Sequence, residues 1–506
     1  MQDNESPLVF PKRADKERIS QYDYFDQLYF GDHFKAFAIK GEKDFTEQYN
    51  RLRYVVANFA GLMTRVMGDM MFGERITVDC KDNNNQTWLD GFMEDNELIA
   101  QLYESELGNS RRGDAIFKLR VGPLTNSPTA QSTVIVEEIT PAIYFPKLDI
   151  NNGRYTTSED VLAWTFEQNG NCYLHKETHR PGYIFHEIYK YDKSQGKIIS
   201  TEKPEEFGYK PVEETKVDRS LIFHIPNVRD GSGFWGTSDY KDLTQLFFAL
   251  NNRLTKTDNI LDKHSDPILA VPEGVLDENG QVRKEALGMF EVDNQNPGFN
   301  KPEYIVWNAN LDAAFKEIDK LVEFLFMFSD IAPGTVGFSK EGGQAESGRA
   351  LKFRLLRTIA KAKRKKIYYD IALKKMFETA FELGKAWNIT IDGVKVAQPE
   401  KPQINWSDGV VNDETEMIEN TTSRIDNGTM SRSDAIAELD GMSPDDAKKK
   451  VKEIDKENSI STTVPEIGKT PGQNANTPPA GNPQNSPDPK PAGTPTKDQP
   501  PVPAGR

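Results

Sequence analysis

The chain has 506 residues, of which 37% are hydrophobic, and a formal net charge of −15. A chain this long usually divides into two or more domains, and its excess of acid argues against a surface that binds nucleic acid throughout. The charged first residues lack the apolar core of a secretion signal. The sequence has no run of about 18 apolar residues that would predict a membrane span. Its two cysteines define neither a disulfide framework nor a zinc site.

The first third of the chain changes from helical to strand periodicity. Apolar residues recur at close to 3.6 positions over 44–71, which predicts a helix, and a second helix is predicted over 87–107. Short runs rich in β-formers follow, separated by Asn-Gly, Pro-Gly and similar turns. These runs are 115–121, 132–139, 160–166, 172–177, 183–191 and 197–199. They predict an antiparallel meander.

The middle of the chain predicts a small insert carried on two helices. Helical patterns cover 238–261 and 311–328, and the residues between them, 263–310, have strand-like ends at 268–271 and 304–307. A glycine-rich segment, 331–348, then leads into a helix-compatible stretch over 349–383. That stretch would extend about 52 Å, far beyond an ordinary globular helix, so it must cross several neighbouring elements or subunits.

The C-terminal part divides into an acidic helical region and a proline-rich tail. Residues 411–457 predict two or three short helices, with starts at Ser431 and Ser443. Residues 461–506 contain twelve prolines and no aromatic residue. Such a tail cannot bury enough apolar area to offset its ordering entropy, so we expect it to be disordered.

Two glycine patterns resemble phosphate-binding loops but lack essential parts. Residues 231–236 have the GxGxxG spacing, yet Trp235 fills the turn and no further βαβ units follow, so a turn before a helix is the better interpretation. Residues 337–342 have the glycine spacing of a Walker A loop, but Gly343 and Gln344 replace the required lysine and hydroxyl residue. Neither pattern predicts a nucleotide site.

A histidine pattern on a predicted strand invites comparison with zinc sites. His175, Glu177 and His179 would point to one face of the strand, whereas the metalloprotease motif has HExxH spacing on a helix. A polar strand face is therefore the preferred interpretation. We expect no catalytic residues, no metal and no cofactor.

The charge is sorted along the chain, and one basic run stands out. Between 349 and 375 there are eleven Lys or Arg residues and one acid, Asp370, whereas 408–457 has fourteen acids and seven basic residues. The candidate site residues on the basic helix are Arg349, Lys352, Arg354, Arg357, Lys361, Lys363, Arg364, Lys365 and Lys366. Their mutual repulsion must be relieved by another segment, another subunit or DNA phosphate.

The order of these features resembles the portal proteins of tailed phages with long non-contractile tails. The matching residues are the Ala-x-Ser-Gly-Arg-Ala-Leu-Lys start of the basic helix at 345–352, Trp-Gly-Thr-Ser-Asp at 235–239, Leu-Asn-Asn-Arg-Leu at 250–254 and Asp-Pro-Ile-Leu-Ala at 266–270. The resemblance covers roughly residues 25–460. Each motif alone is loose, and their order and spacing together carry the resemblance.

The resemblance implies a mixed α+β portal fold with a fixed order of parts. These are a wing of helices and antiparallel β-structure at 1–236, stem helices at 237–262 and 311–330, an α/β clip at 263–310, a tunnel loop at 331–347, a long wing helix and return at 348–407, a helical crown at 408–460 and a disordered tail at 461–506. The tunnel-loop residues expected to face DNA are Gly334, Val336, Gly337, Phe338, Lys340, Glu341, Gly342 and Gly343.

The resemblance also implies the function. A homo-oligomeric ring of about twelve copies would occupy one capsid vertex of the virion, after assembly in the host cytoplasm, and act as the channel for DNA packaging and ejection. The implied partners are the terminase motor, head-completion (adaptor) proteins, major capsid and scaffolding proteins, and double-stranded DNA, with no membrane partner. The alternatives are another capsid-associated structural protein and a nucleotide-dependent DNA-processing enzyme.

Overall fold

The computed structural model describes residues 8–39, 53–124, 131–151, 154–231, 233–265, 268–270, 303–305, 311–338, 352–407, 414–442 and 444–461. The chain divides into two units, Met1–Asp413 and Glu414–Arg506. The fold is a mixture of helices and antiparallel sheets, as the sequence predicted. No described helix combines the length and the apolar character of a membrane span. The C-terminal tail lies outside the described residues.

The helices of the first unit surround its largest core. They are α1 (Arg13–Tyr29), α2 (His33–Ile39), α3 (Phe59–Phe72), α4 (Asn83–Asp95), α5 (Leu98–Arg112), α6 (Thr244–Ser265), α7 (Leu311–Ser329) and α8 (Leu356–Ala386). Helix α3 packs on α5, α6 packs on α7, and α8 packs against α3 and β-structure. The interior of this core includes a stacked Trp88–Phe92 pair, with Phe381 of α8 packed against the tryptophan ring.

The strands form one large sheet and several small ones. They are β1 (Thr77–Asp79), β2 (Asp114–Pro123), β3 (Ser132–Ile139), β4 (Lys147–Asn151), β5 (Arg154–Gln168), β6 (Asn171–Arg180), β7 (Tyr183–Asp192), β8 (Lys197–Glu202), β9 (Val212–Glu214), β10 (Ile222–Pro226), β11 (Ile268–Ala270), β12 (Glu303–Ile305), β13 (Thr390–Ile391), β14 (Val394–Lys395) and β15 (Gln403–Asn405). The six-stranded sheet has the order β4-β5-β6-β7-β8, with β9 on β7, and a three-stranded sheet has the order β10-β2-β3.

The predicted meander is confirmed for its last four strands, β5 to β8, which pair antiparallel in sequence order. The first two predicted strands, β2 and β3, instead pair with each other in a separate three-stranded sheet with β10. The turns of the meander use the expected residues. Asn169 and Gly170 both have positive φ, as a two-residue hairpin turn between β5 and β6 requires. The strands at the ends of the predicted insert are also confirmed, since β11 and β12 pair antiparallel.

Several predicted helix boundaries were wrong, and side-chain hydrogen bonds explain the first. The described part of the 44–71 helix is helical only in α3, because the backbone amides of Val55 and Ala57 donate to Thr255 and Asn251 of α6 instead of to a helix ladder. Helix α1 was not predicted. The second predicted helix divides into α4 and α5, with Glu97 in the left-handed region between them.

Two further helices, α6 and α8, also begin later than predicted. Helix α6 starts at Thr244 rather than at 238, because the preceding residues form turns. Helix α8 starts at Leu356 rather than at 349 and ends at Ala386. Leu355 leaves the helical conformation and separates α8 from a short helical turn over 352–354.

The described part of the second unit contains α9 (Glu414–Asp426), α10 (Arg432–Asp440) and α11 (Pro444–Ser461), which confirms the short acidic helices. The predicted start at Ser431 is confirmed, since its hydroxyl accepts from the Asp434 amide and caps α10. Ser443 lies outside the described residues. Helices α10 and α11 are joined by two exposed ion pairs, Lys450–Asp440 and Arg432–Asp455.

Candidate functional site at the start of the long helix

Three segments that are distant in sequence meet along the first half of α8. They are α5, the turn before α6 and the end of α7. The turn supplies Asp239, α5 supplies Glu106, and α7 ends at Ser329 and Asp330. The basic residues of α8 point at these groups from positions three or four residues apart, which places them on one helix face.

The centre of the site is a buried cluster of two lysines and two acids. Lys365 Nζ donates to Glu106 Oε1 and to Asp239 Oδ2, each at 2.7 Å. Lys361 Nζ lies 3.1 Å from Asp239 Oδ1 and donates to the Ser329 carbonyl at 2.9 Å. The Lys365 and Glu106 side chains have 0% exposure, so solvent does not screen these charges.

Asp239 is held in place by more than the lysines. The Ser110 hydroxyl donates to its Oδ2 at 2.7 Å, and Asn227 Nδ2 donates to its Oδ1 at 3.0 Å. Its own backbone amide donates to the Ser110 carbonyl at 2.9 Å. Both carboxylate oxygens of Asp239 therefore have several donors, which a buried charge requires.

The protonation of the cluster follows from burial and pairing. Burial alone would raise the pKa of Asp239, but Lys361 and Lys365 lower it well below its ordinary value. Burial alone would lower the pKa of Lys365, but Asp239 and Glu106 together raise it. Burial raises the pKa of Glu106, and Lys365 offsets only part of that effect. Asp239 is thus the firmly ionised acid, and Glu106 is the acid that protonates first.

A second, more exposed cluster lies at the end of α7. Arg357 donates to Asp330 Oδ1 at 2.5 Å, and Arg364 donates to its Oδ2 at 2.8 Å. Asp330 has a φ of 59°, in the left-handed region, and ends α7. Two residues later the Ala332 amide donates to the Thr358 hydroxyl at 2.8 Å, so the chain leaving α7 is fixed against α8.

The structure describes only the first part of the predicted tunnel loop. Pro333–Val336 form a 3₁₀ turn that includes Gly334, and Gly337 follows with a φ of 71°. Phe338 packs on the Phe326 ring of α7, with centroids 5.9 Å apart, and is 48% exposed. The predicted residues Lys340, Glu341, Gly342, Gly343 and Arg349 lie outside the described residues.

The remaining candidate basic residues differ in exposure, and two of them, Lys352 and Arg354, precede α8. Lys366 donates to the Ser407 carbonyl at 2.6 Å and is buried. Arg354 and Lys363 are exposed, and Lys352 is half-buried. Acids of the same chain therefore neutralise Lys361, Lys365, Arg357 and Arg364. The predicted contact of the basic helix with another subunit or with DNA therefore applies mainly to its exposed residues.

The GxGxxG pattern that was set aside in the sequence has a structural explanation. In 231–236, Phe234 stacks on His224 with centroids 4.4 Å apart, and Arg18 lies 4.1 Å from the Trp235 ring, so aromatic rings fill the turn. A Cβ on Gly236 would lie 2.1 Å from the Gly113 carbonyl, so close backbone contact explains this glycine. Within the part of the chain that the structure describes, no cluster of three or more His, Cys, Asp or Glu residues is arranged to bind a metal ion.

Glu106 and Asp239 were not predicted as partners of the basic helix. They lie 259 and 126 residues from Lys365 in the sequence, and acids are too frequent in this chain for two of them to attract notice. The cluster joins lysines, carboxylates and a carbonyl, which bind one another and hold segments together. The arrangement can fix the geometry of these segments, because its charged groups bind one another.

Comparisons with known proteins were made for the whole chain. A family model described as "Phage portal protein, SPP1 Gp6-like" matches residues 128–461. No curated protein matches the chain. Among solved structures, the chain is similar to one described as "Virion of native gene transfer agent (GTA) particle", with a TM-score of 0.40 and 10% identity over 78% of this chain and 92% of that one.

Two further structures are similar at the same level. "Neck of empty GTA particle computed with C6 symmetry" has a TM-score of 0.37 and 11% identity, covering 76% of this chain and 88% of that one. "Neck of native GTA particle computed with C12 symmetry" has a TM-score of 0.38 and 11% identity, covering 75% of this chain and 90% of that one. The residues matched by the family model include the six-stranded sheet, α6 to α8 and the helices of the second unit.

Proposed function

Because the chain belongs to the SPP1 Gp6-like family of phage portal proteins, we propose that it assembles into a ring at one capsid vertex and forms the channel for DNA. The family is structural rather than enzymatic. Double-stranded DNA enters through this channel during packaging and leaves through it at ejection. The mature protein is located in the virion, after assembly in the host cytoplasm.

The proposed layout assigns a role to each part of the chain. Helices α6 and α7, which pack on each other, are the stem, and the insert 263–310 between them is the clip. The segment 331–347 is the tunnel loop, α8 belongs to the wing together with the sheets, and α9 to α11 form the crown. The terminase motor and the head-completion proteins dock at the clip, and the major capsid and scaffolding proteins contact the outside of the ring.

The exposed apolar residues on α7 and α8 are the main observation that supports assembly into a ring. On α7 they are Phe315, Phe324, Met327 and Phe328, and on α8 they are Leu356, Ile367 and Ile371. Each of these side chains is between 41% and 61% exposed in the single subunit. Single exposed apolar side chains are normal, but rows of them on two helices indicate a surface that another protein covers.

A ring explains why the exposed residues occur on two different helices. In a cyclic assembly with more than two copies, each subunit uses one surface to bind the next copy and a different surface to bind the previous one. An acidic subunit also suits a channel, because DNA that must slide should not be gripped through many phosphate contacts.

The test is an assembly measurement on charged variants of these helices. Phe324→Lys combined with Phe328→Lys on α7, and Ile367→Lys combined with Ile371→Lys on α8, place charges in the proposed contact. Twelve copies of the 57.2 kDa chain would weigh about 690 kDa, which light scattering and electron micrographs distinguish from a single subunit. We expect rings for the wild type and smaller species for both variants.

The matched control is Ile199→Lys on β8, because Ile199 is 60% exposed but stands on neither helix. It should assemble as the wild type does. A wild-type protein that stays monomeric at micromolar concentration would contradict the proposal and favour another capsid-associated structural protein. Rings that form equally well from both helix variants would contradict the assignment of these surfaces.

A further inference from the structure

Three of the six histidines of the chain lie together on two neighbouring strands. His175 and His179 are on β6, His186 is on β7, and none of the three is more than 7% exposed. They share one face of the six-stranded sheet with Glu177, whose register partner on β7 is His186. This cluster lies outside the lysine cluster of α8.

The first half of the cluster is a direct pair of imidazoles. His175 Nε2 and His186 Nδ1 are 3.0 Å apart, so one nitrogen carries the shared proton and the other accepts it. The Trp164 and Tyr209 rings each lie 4.4 Å from the His175 ring, and Tyr209 also stacks on His186. The two aromatic rings therefore pack against the imidazole pair.

The second half connects two different sheets. Glu177 Oε1 accepts from His179 Nε2 and from Lys118 Nζ, each at 2.5 Å. Lys118 belongs to β2, in the three-stranded sheet that packs near α8, whereas Glu177 belongs to the six-stranded sheet. The ion pair is thus a bond between sheets, and its ends are 12% and 5% exposed.

Other charged groups face the cluster across a cavity of about 470 Å³. Glu213 of β9 lies 3.7 Å from His186 Nε2. The other charged residues that line the cavity are Arg120 of β2 and Lys210, Glu214 and Lys216 near β9. Arg120 is paired with Glu137, which offsets part of its positive charge beside the histidines.

We propose that these residues form an acid-sensitive clasp that holds the six-stranded sheet on β2. At neutral pH the imidazole pair shares one proton between its nitrogens, and Glu177 binds Lys118. A first added proton leaves the N–H···N bond in place. A second makes two N–H groups face each other, which breaks the bond and places two cations beside Lys118. These cations repel Lys118 and so weaken its bond to Glu177, which joins the two sheets.

The direction of the pH dependence follows from comparing histidine pKa values in two states. In the folded state the clasp is closed, and in the released state the clasp is open and water reaches the histidines. Burial lowers the pKa of His175 to about 4 and also lowers the pKa of His186, whereas released histidines titrate at about 6.5. The released state therefore binds more protons, and the clasp weakens as pH falls from about 6.5 towards 4. Burial alone would raise the pKa of Glu177, but His179 and Lys118 lower it, so Glu177 stays ionised over this range.

Hydrogen exchange of the full-length wild-type protein tests the clasp directly. Exchange is followed by mass spectrometry between pH 7.5 and 4 and corrected for the intrinsic pH dependence of amide exchange. We expect the protection of β6 and β7 to fall at least tenfold over this range, while α8 keeps its protection. Parallel loss of protection in β6, β7 and α8, or no loss in any of them, would overturn the proposal.

A variant without titratable rings provides the second test. His175→Phe combined with His186→Phe keeps two rings of similar size between Trp164 and Tyr209 but cannot take up protons. We expect its corrected exchange in β6 and β7 to be independent of pH between 6.5 and 4. The control is His33→Gln, because His33 is a buried histidine on α2 that bonds Asn251, far from this sheet in the fold.

The control should retain the wild-type acid transition in β6 and β7. A transition that persists unchanged in the double variant contradicts the clasp, since its proton acceptors are gone. If the double variant does not fold, the wild-type exchange profile alone decides between a local transition and a global one.

Discussion

Two aspartates bind pairs of cations from the same helix and differ mainly in burial. Asp239 accepts from Lys361 and Lys365 inside the core, with its side chain 9% exposed. Asp330 accepts from Arg357 and Arg364 at the surface, where the arginine side chains are 68% and 50% exposed. The number of cations is equal, but Asp239 also accepts from Ser110 and Asn227, so the comparison sets a buried and fully bonded carboxylate against a more exposed one.

The difference shows which contacts determine the subunit fold. A buried charge that loses its partner cannot be compensated by water, and the loss costs about 3 to 5 kcal/mol. An exposed pair exchanges its partner for water and contributes only about 0 to 1 kcal/mol. We therefore expect the Asp239 cluster to hold the turn before α6, α5 and α8 together, and the Asp330 cluster to adjust the local geometry at the end of α7.

The largest effect should come from Asp239→Asn. The substitution keeps the size of the side chain but removes the charge that neutralises Lys361 and Lys365, so the free energy of unfolding should fall by about 3 to 5 kcal/mol. Denaturant unfolding at pH 7, with the variant and the wild type in the same assembly state, measures the change.

The control for Asp239→Asn is Asp242→Asn, three residues later in the same turn, because Asp242 is exposed. The control should change the free energy of unfolding by less than about 0.5 kcal/mol. If both substitutions have the same small effect, the lysines have found other partners and the cluster does not hold the core.

Glu106→Gln should have an intermediate effect. Lys365 keeps Asp239, and the glutamine oxygen can still accept from it, so we expect a loss of about 1 to 3 kcal/mol. Because the pKa of Glu106 is raised in the folded state, that state takes up a proton at higher pH than the unfolded chain. The wild type therefore gains stability relative to the variant as pH falls from 8 towards 5. A difference between the two proteins that does not change with pH contradicts this assignment.

The sequence pattern predicted the helices and strands better than it predicted where they begin and end. Alternating residues and Asn-Gly turns predicted the meander because both signals are local, and the Ser431 cap was predicted for the same reason. The start of α3 was missed because Thr255 and Asn251, about 200 residues away, capture the amides of Val55 and Ala57. No local pattern records such a bond.

For the same reason, the sequence predicted that the basic helix has acidic partners but not which residues they are. The excess of positive charge correctly indicated that acids must lie near it, and another segment of the chain was one of the three open interpretations. Which acids they are depends on the fold, since Glu106 is brought to Lys365 by the packing of α5 and Asp239 by the turn before α6. The role of the exposed side of α8 is tested by the assembly variants above, and the role of the tunnel loop stays a prediction.

The smallest effect should come from Asp330→Asn, and it is the sharpest test of the comparison. Asparagine tolerates the left-handed conformation that Asp330 adopts, so the substitution removes the charge without adding backbone strain. Arg357 and Arg364 are exposed enough to be hydrated when the carboxylate is lost, so the free energy of unfolding should fall by no more than about 1 kcal/mol. Denaturant unfolding at low salt and at 1 M salt measures this loss, which should shrink at high salt because exposed pairs are screened, whereas the loss in Asp239→Asn should persist. A loss of about 3 kcal/mol at Asp330 that salt does not reduce would mean that burial is not what separates the two aspartates, and that the end of α7 is as essential to the subunit as its core.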